Sequence, residues 1–256
     1  MEENNKRIET DNVLIEGNTI IYFSKDFKGD YVIPDYITTI GEEGEDGPFS
    51  GCIGLQSIRI PDSVITINCS AFYGCASIKK IFIPKSVESI SLGIFGGCSN
   101  LSTIIVDKDN QHYDSRQNCN AIIDSNSNIL IAGCYTSCIP YGVKGIESCA
   151  FLDCDCLTEI TIPDSVICIE NSAFSGCINL TKIDIPEGVN VIGNETFCDC
   201  SKLSSVSLPS SIDVIGGHAF SNCEKLKEII IPVGTRKKFE DLLPEDLHDK
   251  LKELNH

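Results

Sequence analysis

The sequence predicts a repeat solenoid, one elongated domain of short β-strands and loops, and three observations predict it. Prolines following Ile or Leu stand at 34, 61, 84, 140, 163, 186, 209 and 232, every step being 23 residues from Pro140 onward and again from Pro61 to Pro84. Phe49, Phe72, Phe95, Phe151, Phe174, Phe197 and Phe220 keep the same register, each three positions ahead of a cysteine: Cys52, Cys75, Cys98, Cys154, Cys177, Cys200 and Cys223. Within one unit, Leu180 to Cys200, the apolar positions are Leu180, Ile183, Ile185, Val189, Ile192, Phe197 and Cys200, all expected to point inward. A single unit of this length cannot bury its own apolar face, whereas stacked units form a continuous core. At roughly 4.8 Å per coil, nine or ten coils make a rod about 45 Å long.

The elements follow in chain order. Residues 1–32 are expected to form an N-terminal β-hairpin cap, because DNVLIEGNTIIYF places apolar runs on both sides of a Gly-Asn turn. Residues 33–106 are the first repeat stack; its step from Pro34 to Pro61 is 27 because GEEGEDGP enlarges one loop. From Phe95 to Phe151 the interval is 56, one 23-residue unit plus one of 33, so residues 107–139 are a long inserted unit. Its segment NCNAIIDSNSNILIAGC resembles the N-terminal hairpin, and the insertion reads as a second copy of the capping module in mid-rod. Residues 140–234 are the second stack. There Ile183 and Ile185 alternate with Asp184 as a short strand requires, proline ends the strand for want of an N–H, Glu187-Gly188 supplies a turn, and Gly193 is expected to permit the next bend. Residues 235–256 read as a helical C-terminal cap of two short helices, with a stripe of Phe239, Leu242, Leu243, Leu247, Leu251 and Leu254 and a helix start at Pro244-Glu245-Asp246.

Composition excludes several functions. A formal charge of −17 and a pI near 4.5 oppose nucleic-acid binding, which needs clustered Lys and Arg to neutralise phosphates. No apolar run of about 18 residues is present, so no membrane insertion is expected. The N-terminal MEENNKRIETDN lacks the apolar core of a signal peptide. A monomer is expected.

The unit seen in IPDSVITINCSAFYGCASIKKIFIP and IPDSVICIENSAFSGCINLTKIDIP closely resembles the BspA-type leucine-rich repeats of bacterial and protozoan proteins. The resemblance covers nearly the whole chain, including the long unit VDKDNQHYDSRQNCNAIIDSNSNILIAGC and the Lys-Phe-rich terminal segment. It implies a leucine-rich-repeat fold, a cell-surface or secreted location, and adhesion through a protein or glycan ligand that can be host-derived. The chain departs from the pattern at Asp107, where proline should stand, and in the acidic loop Glu42 to Asp46.

Constellations of reactive residues support no chemistry. Stacked cysteines of the column project in parallel and should pack as small buried thiols. Off the column lie Cys69, Cys119, Cys134, Cys138, Cys149, Cys156, Cys168 and Cys198; the C-x-C pairs 154/156 and 198/200 are not zinc knuckles, while one disulfide among Cys134, Cys138 and Cys149 is conceivable. His112, His218, His248 and His256 sit in no pattern with a nucleophile and an acid, and repeats predict no concave pocket, so no catalysis and no cofactor are expected. The acidic residues Glu42, Glu43, Glu45, Asp46, Asp107, Asp109 and Asp114 match no calcium loop and read as solvated, and the glycines form no phosphate-binding motif. Variation is free only at the outward strand positions, Arg59, Phe82, Ile105, Thr161, Asp184, Ser207 and Ile230, and two residues earlier Ser57, Lys80, Thr103, Glu159, Lys182, Ser205 and Glu228. Phe82 and Ile105 beside Arg59 and Lys80 would make an apolar spot with basic neighbours, the candidate ligand-binding strand face. An ordinary strand face partly covered by the inserted hairpin is the plainer reading of the same residues. A non-enzymatic binding or adhesion module is the function expected, the alternative being an architectural spacer or stalk.

Overall fold

A computed structural model describes residues 7–44 and 46–254; Glu45 of the acidic loop, His256 and the outermost parts of both expected caps lie outside the described residues. The stretches before the prolines pair in parallel in three groups, Gly29–Val32 with Leu55–Arg59, Lys80–Ile83 with Thr103–Val106, and Lys182–Asp184 with Ser205–Ser207 and Glu228–Pro232, whereas Leu55–Arg59 and Lys80–Ile83 share no ladder and residues 157–163 form no strand. All seven apolar positions named for the unit Leu180–Cys200 are buried. Their side chains, with the equivalents in the other coils, build two hydrophobic cores that meet at the inserted unit.

A second parallel ladder runs along the rod, from residue pairs such as Thr39–Ile40, Thr66–Ile67 and Ser89–Ile90 in the first stack and Gly145–Ile146 to Val214–Ile215 in the second. Each run starts from an antiparallel module. At the N-terminus Val13–Glu16 and Thr19–Phe23 form a hairpin around Gly17 (φ 58°), with Arg7–Glu9 as a third strand, and Thr19–Phe23 then pairs in parallel with Thr39–Ile40. The insertion repeats that order: Tyr113–Asp114, Ile122–Asp124 and Ile129–Ala132 are antiparallel, and the last pairs in parallel with Gly145–Ile146.

The phenylalanine column forms two stacked runs. Ring centroids lie 5.5 and 6.0 Å apart through Phe49, Phe72 and Phe95, and 5.0, 5.5 and 5.6 Å apart through Phe151, Phe174, Phe197 and Phe220. Burying one such ring contributes roughly 2–3 kcal/mol. Phe23 of the N-terminal module closes the first run against Phe49 at 4.8 Å. In the insertion Gly133 lies against the Phe151 ring, leaving no room for a side chain there.

Two expectations are corrected. Gly193 does not serve a bend: its backbone has no positive φ, and a Cβ would sit 2.6 Å from the Asn171 backbone nitrogen, so glycine is required by the close approach of coils. Left-handed residues recur at two other positions: two residues after the Gly193 position, at Ser70, Gly93, Cys149, Ser172, Glu195 and His218, and before each column cysteine, at Gly51, Gly74, Gly97, Asp153, Gly176, Asp199 and Asn222, where only Gly, Asn and Asp stand, the types that tolerate this conformation best. The C-terminal cap is not two α-helices. Arg236–Leu242 is α-helical and Glu245–Lys250 is a 3₁₀ turn, but Leu251–Leu254 is a strand paired in parallel with Glu228–Pro232. The last repeat strand would otherwise expose its unpaired N–H and C=O groups; pairing satisfies them, with Leu251 buried and Leu254 half exposed.

Candidate functional site

Parallel pairing fixes the outward rows. Val32 stands beside Arg59, Lys80 beside Thr103 and Phe82 beside Ile105. Alternation along each strand turns Ile81, Ile83, Ile104 and Val106 inward and leaves Val32, Phe82 and Ile105 exposed by 55%, 42% and 36%. The insertion therefore does not cover them. Arg59 and Lys80 are exposed, and neither enters an ion pair or side-chain hydrogen bond among the described residues. Val32 belongs to this row, and sequence reasoning missed it because the row was counted from the second coil.

The second stack carries the same rows with another character. Lys182 pairs with Asp184 at 2.9 Å and Lys252 with Glu228 at 2.7 Å, so its cations are neutralised on the face itself. Contrary to the expectation of no concavity, clefts open along the strand face. One of about 600 Å³ lies between Ile139 and Asp184, another of about 500 Å³ runs from Lys182 to Leu254, and a third of about 510 Å³ has Thr103–Lys108 as one wall and Asp114–Asn120 of the insertion as the other.

That third cleft exists because the insertion leaves the first stack. Asn110 stands where Val64 and Val87 stand in earlier coils; its buried amide donates to the carbonyls of Pro84 and Val87 at 2.9 and 3.0 Å and accepts from the N–H groups of His112 and Tyr113 at 2.8 Å. The Tyr113 hydroxyl then accepts the Ile90 N–H at 3.0 Å, at the edge of the short ladder. Ser115 donates to the Ile104 carbonyl at 3.1 Å. Burial pushes the Asp114 carboxyl up, but hydrogen bonds from Arg116 and Ser125 outweigh it and hold the group below its usual range; Arg116 also reaches Asn128 at 2.9 Å. On another side of the rod the Tyr73 ring crosses Gly96 and its hydroxyl donates to Asp153 at 2.5 Å, tying the two stacks together.

The thiols have a structural task. Cys75, Cys98, Cys177, Cys200 and Cys223 each donate to the carbonyl of the phenylalanine one coil back, at 3.0–3.2 Å. Burial pushes the thiol pKa of Cys52 up to about 11 and those of Cys98 and Cys223 up to about 12, far from the thiolate that nucleophilic chemistry needs. All fifteen cysteines are free, including Cys134, Cys138 and Cys149, where a disulfide was conceivable. The His218 Nδ1 contacts Ser221 at 3.2 Å on one exposed turn, and no carboxylate bonds the ring among the described residues. No helix among the described residues is long and apolar enough to cross a membrane.

Two ladders of short parallel strands, an inward isoleucine column and a phenylalanine spine define a leucine-rich-repeat solenoid. Residues 22–129 and 133–241 match the family described as BspA type leucine rich repeat region, in six copies, and the chain belongs to that family. Among solved structures it is similar to a leucine rich cell surface protein from Faecalibacterium prausnitzii, with 32% identity and a TM-score of 0.60 over 82% of this chain and 61% of that one. It also shares its fold with a leucine-rich repeat protein from Eubacterium ventriosum, at 24% identity and a TM-score of 0.63 over 79% and 60% of the two chains. The chain thus spans less than two thirds of the length of either. Comparison with curated protein sequences gives no match.

Proposed function

We propose that the chain is a non-enzymatic adhesion module that binds a protein or glycan through the strand face of its first stack, and that it works at the cell surface. The observation that carries this reading is the exposed row of Val32, Arg59, Phe82 and Ile105 with Lys80 alongside, apolar and cationic on a protein of net charge −17. A spacer needs no such row, because the repeat fixes only the inward positions. The cell-surface relative from F. prausnitzii supports the location. The test is binding of the full chain to arrays of extracellular-matrix proteins and glycans, with Phe82→Ala and Arg59→Ala beside the wild type. Saturable binding weakened by both substitutions is expected; binding indifferent to both, or none at all, returns the chain to the role of spacer.

A further inference from the structure

We infer that Cys119 and Cys138 form a disulfide when the chain meets an oxidising medium, closing a ring around the inserted hairpin and fixing the wall Asp114–Asn120 of the cleft beside Ile105. The inference is independent of what the strand face binds. Three observations carry it. First, the two residues are direct main-chain neighbours: the Cys138 N–H donates to the Cys119 carbonyl at 3.0 Å. Since a nitrogen lies about 1.5 Å from its α-carbon and a carbonyl oxygen about 2.4 Å from its own, the two α-carbons are at most about 7 Å apart. Disulfides bridge roughly 4.4–6.8 Å between α-carbons. No other pair of cysteines is joined by such a bond among the described residues. The column thiols stack along the rod and project in parallel, whereas Cys119 precedes and Cys138 follows the hairpin of Ile122–Asp124 and Ile129–Ala132. A bond between them encloses that hairpin and ties the cleft wall to the residue two before Pro140, where the second stack begins. The wall is otherwise held by side-chain hydrogen bonds, those of Arg116 to Asp114 and Asn128 and of Ser115 to Ile104.

Second, these two thiols are the least engaged of their corner. Cys138 is exposed, lines the cleft of about 600 Å³ on the strand face, and makes no side-chain hydrogen bond among the described residues, so a turn about χ1 redirects its sulfur. The buried Cys119 thiol makes one long contact, to the Ala121 carbonyl at 3.7 Å. Cys134, the third thiol nearby, is held more firmly: it donates to the Asn120 carbonyl at 3.5 Å and meets the Thr136 hydroxyl at 3.3 Å. Third, exposure sets the order of events. Burial pushes the Cys119 thiol up, so Cys138 reacts first. With oxidised glutathione as the oxidant, the Cys138 thiol gives up its proton and its sulfur attacks the glutathione disulfide; that S–S bond breaks and one glutathione leaves as a thiol. Cys119 then loses its proton and attacks the Cys138 sulfur of the mixed disulfide, expelling the second glutathione. Two protein thiols are oxidised and one glutathione disulfide is reduced to two thiols.

The test incubates the full chain, produced reduced, with oxidised glutathione, then alkylates it after unfolding. Two fewer labelled thiols than the fifteen of the reduced chain are expected. Cleavage after Arg116, before Asp124 and after Tyr135 puts Cys119, Cys134 and Cys138 on separate peptides, and the first should be linked to the third. Cys138→Ser should abolish the loss of labelled thiols and Cys134→Ser should leave it intact, with circular dichroism confirming that both variants fold. Amides of residues 115–121 should exchange at least about tenfold more slowly in the oxidised chain than in the reduced one. A link from Cys134 to either thiol, glutathione retained on Cys138 with Cys119 alkylated, or fifteen labelled thiols after oxidation overturns the inference. Equal exchange with the bond in place overturns its hold on the wall.

Discussion

Replacing Asn110 by valine should destabilise the protein although it restores the residue type of its column. Val64 and Val87 occupy this position in earlier coils and are fully buried, so a solenoid that merely continued would welcome a third valine. In the structure the Asn110 side chain instead makes four hydrogen bonds, three of them buried, to Pro84, Val87, His112 and Tyr113. Valine would leave the Val87 carbonyl and the Tyr113 N–H without these partners and would take from the Pro84 carbonyl the second of its two, the Val87 N–H remaining. A lost buried hydrogen bond costs about 1 kcal/mol net, and more where a group is stranded, so Asn110→Val should cost about 3 kcal/mol; the gain from a slightly more apolar side chain offsets well under half of that. The assay is urea unfolding followed by circular dichroism, since the chain has no tryptophan, with hydrogen exchange of the Tyr113 and Ile90 amides read by mass spectrometry. Those amides should exchange faster in the variant. Stability within about 0.5 kcal/mol of wild type, with both amides still protected, would refute the reasoning, because a surface substitution costs no more than that.

Three further outcomes follow from the same geometry. Tyr73→Phe removes the bond to Asp153 and should cost about 1 kcal/mol, since the pair is partly exposed. The Tyr73 pKa is pushed up to about 12 from 10.0, first by its hydrogen bond to Asp153 and then by burial. The folded state thus favours the neutral phenol, and the difference between wild type and variant should be full below pH 10 and vanish as the pH rises toward 12. Gly193→Ala should lower stability by about 1–3 kcal/mol through overpacking against Asn171, measured by thermal denaturation; a neutral result would mean that the coils part without cost. Under native alkylation read by peptide mass spectrometry, the exposed Cys138 and Cys156 should label first and the buried Cys75, Cys98, Cys177 and Cys200 last, with all fifteen labelled after unfolding without reductant; rapid native labelling of Cys177 would contradict its burial.

The periodic columns were legible because one side-chain type recurs at one position: proline after the strand, phenylalanine in the spine, cysteine under it. The second ladder escaped notice for a reason of the same kind. Its first residue varies through Thr39, Thr66, Ser89, Gly145, Cys168, Val191 and Val214, and its strands are two residues long, too short for alternation to register. Its inward residue is isoleucine in all seven coils, Ile40, Ile67, Ile90, Ile146, Ile169, Ile192 and Ile215, and that column was the available clue. Leu251 and Leu254 misled because a spacing of three suits a helix face. What decides their conformation is the open edge of Glu228–Pro232, a partner outside any local window. On the candidate face Arg59, Lys80, Phe82 and Ile105 could be read from the register alone, whereas the cleft could not, since it depends on how the insertion folds.

The place where the repeat fails is also where its surface acquires shape. An unbroken solenoid satisfies each coil with the backbone of the next, and its strand face is then a nearly uniform sheet. Here the strand Thr103–Val106 pairs on one side with Lys80–Ile83, and the chain then departs into the antiparallel module. Groups that would have met another coil are met by side chains instead: the Ile90 N–H by Tyr113 and the Ile104 carbonyl by Ser115. Side chains reach farther than a ladder bond, so these substitutions hold the insertion apart from the strand instead of flush against it, and the gap between them is the cleft beside Ile105. Each substitution costs the regularity that stacking supplies, and none is needed for a rod that only separates other parts. A chain selected for length alone would lose the insertion without penalty; deleting 107–139 and rejoining the coils should therefore preserve a folded solenoid while abolishing binding through the first-stack face.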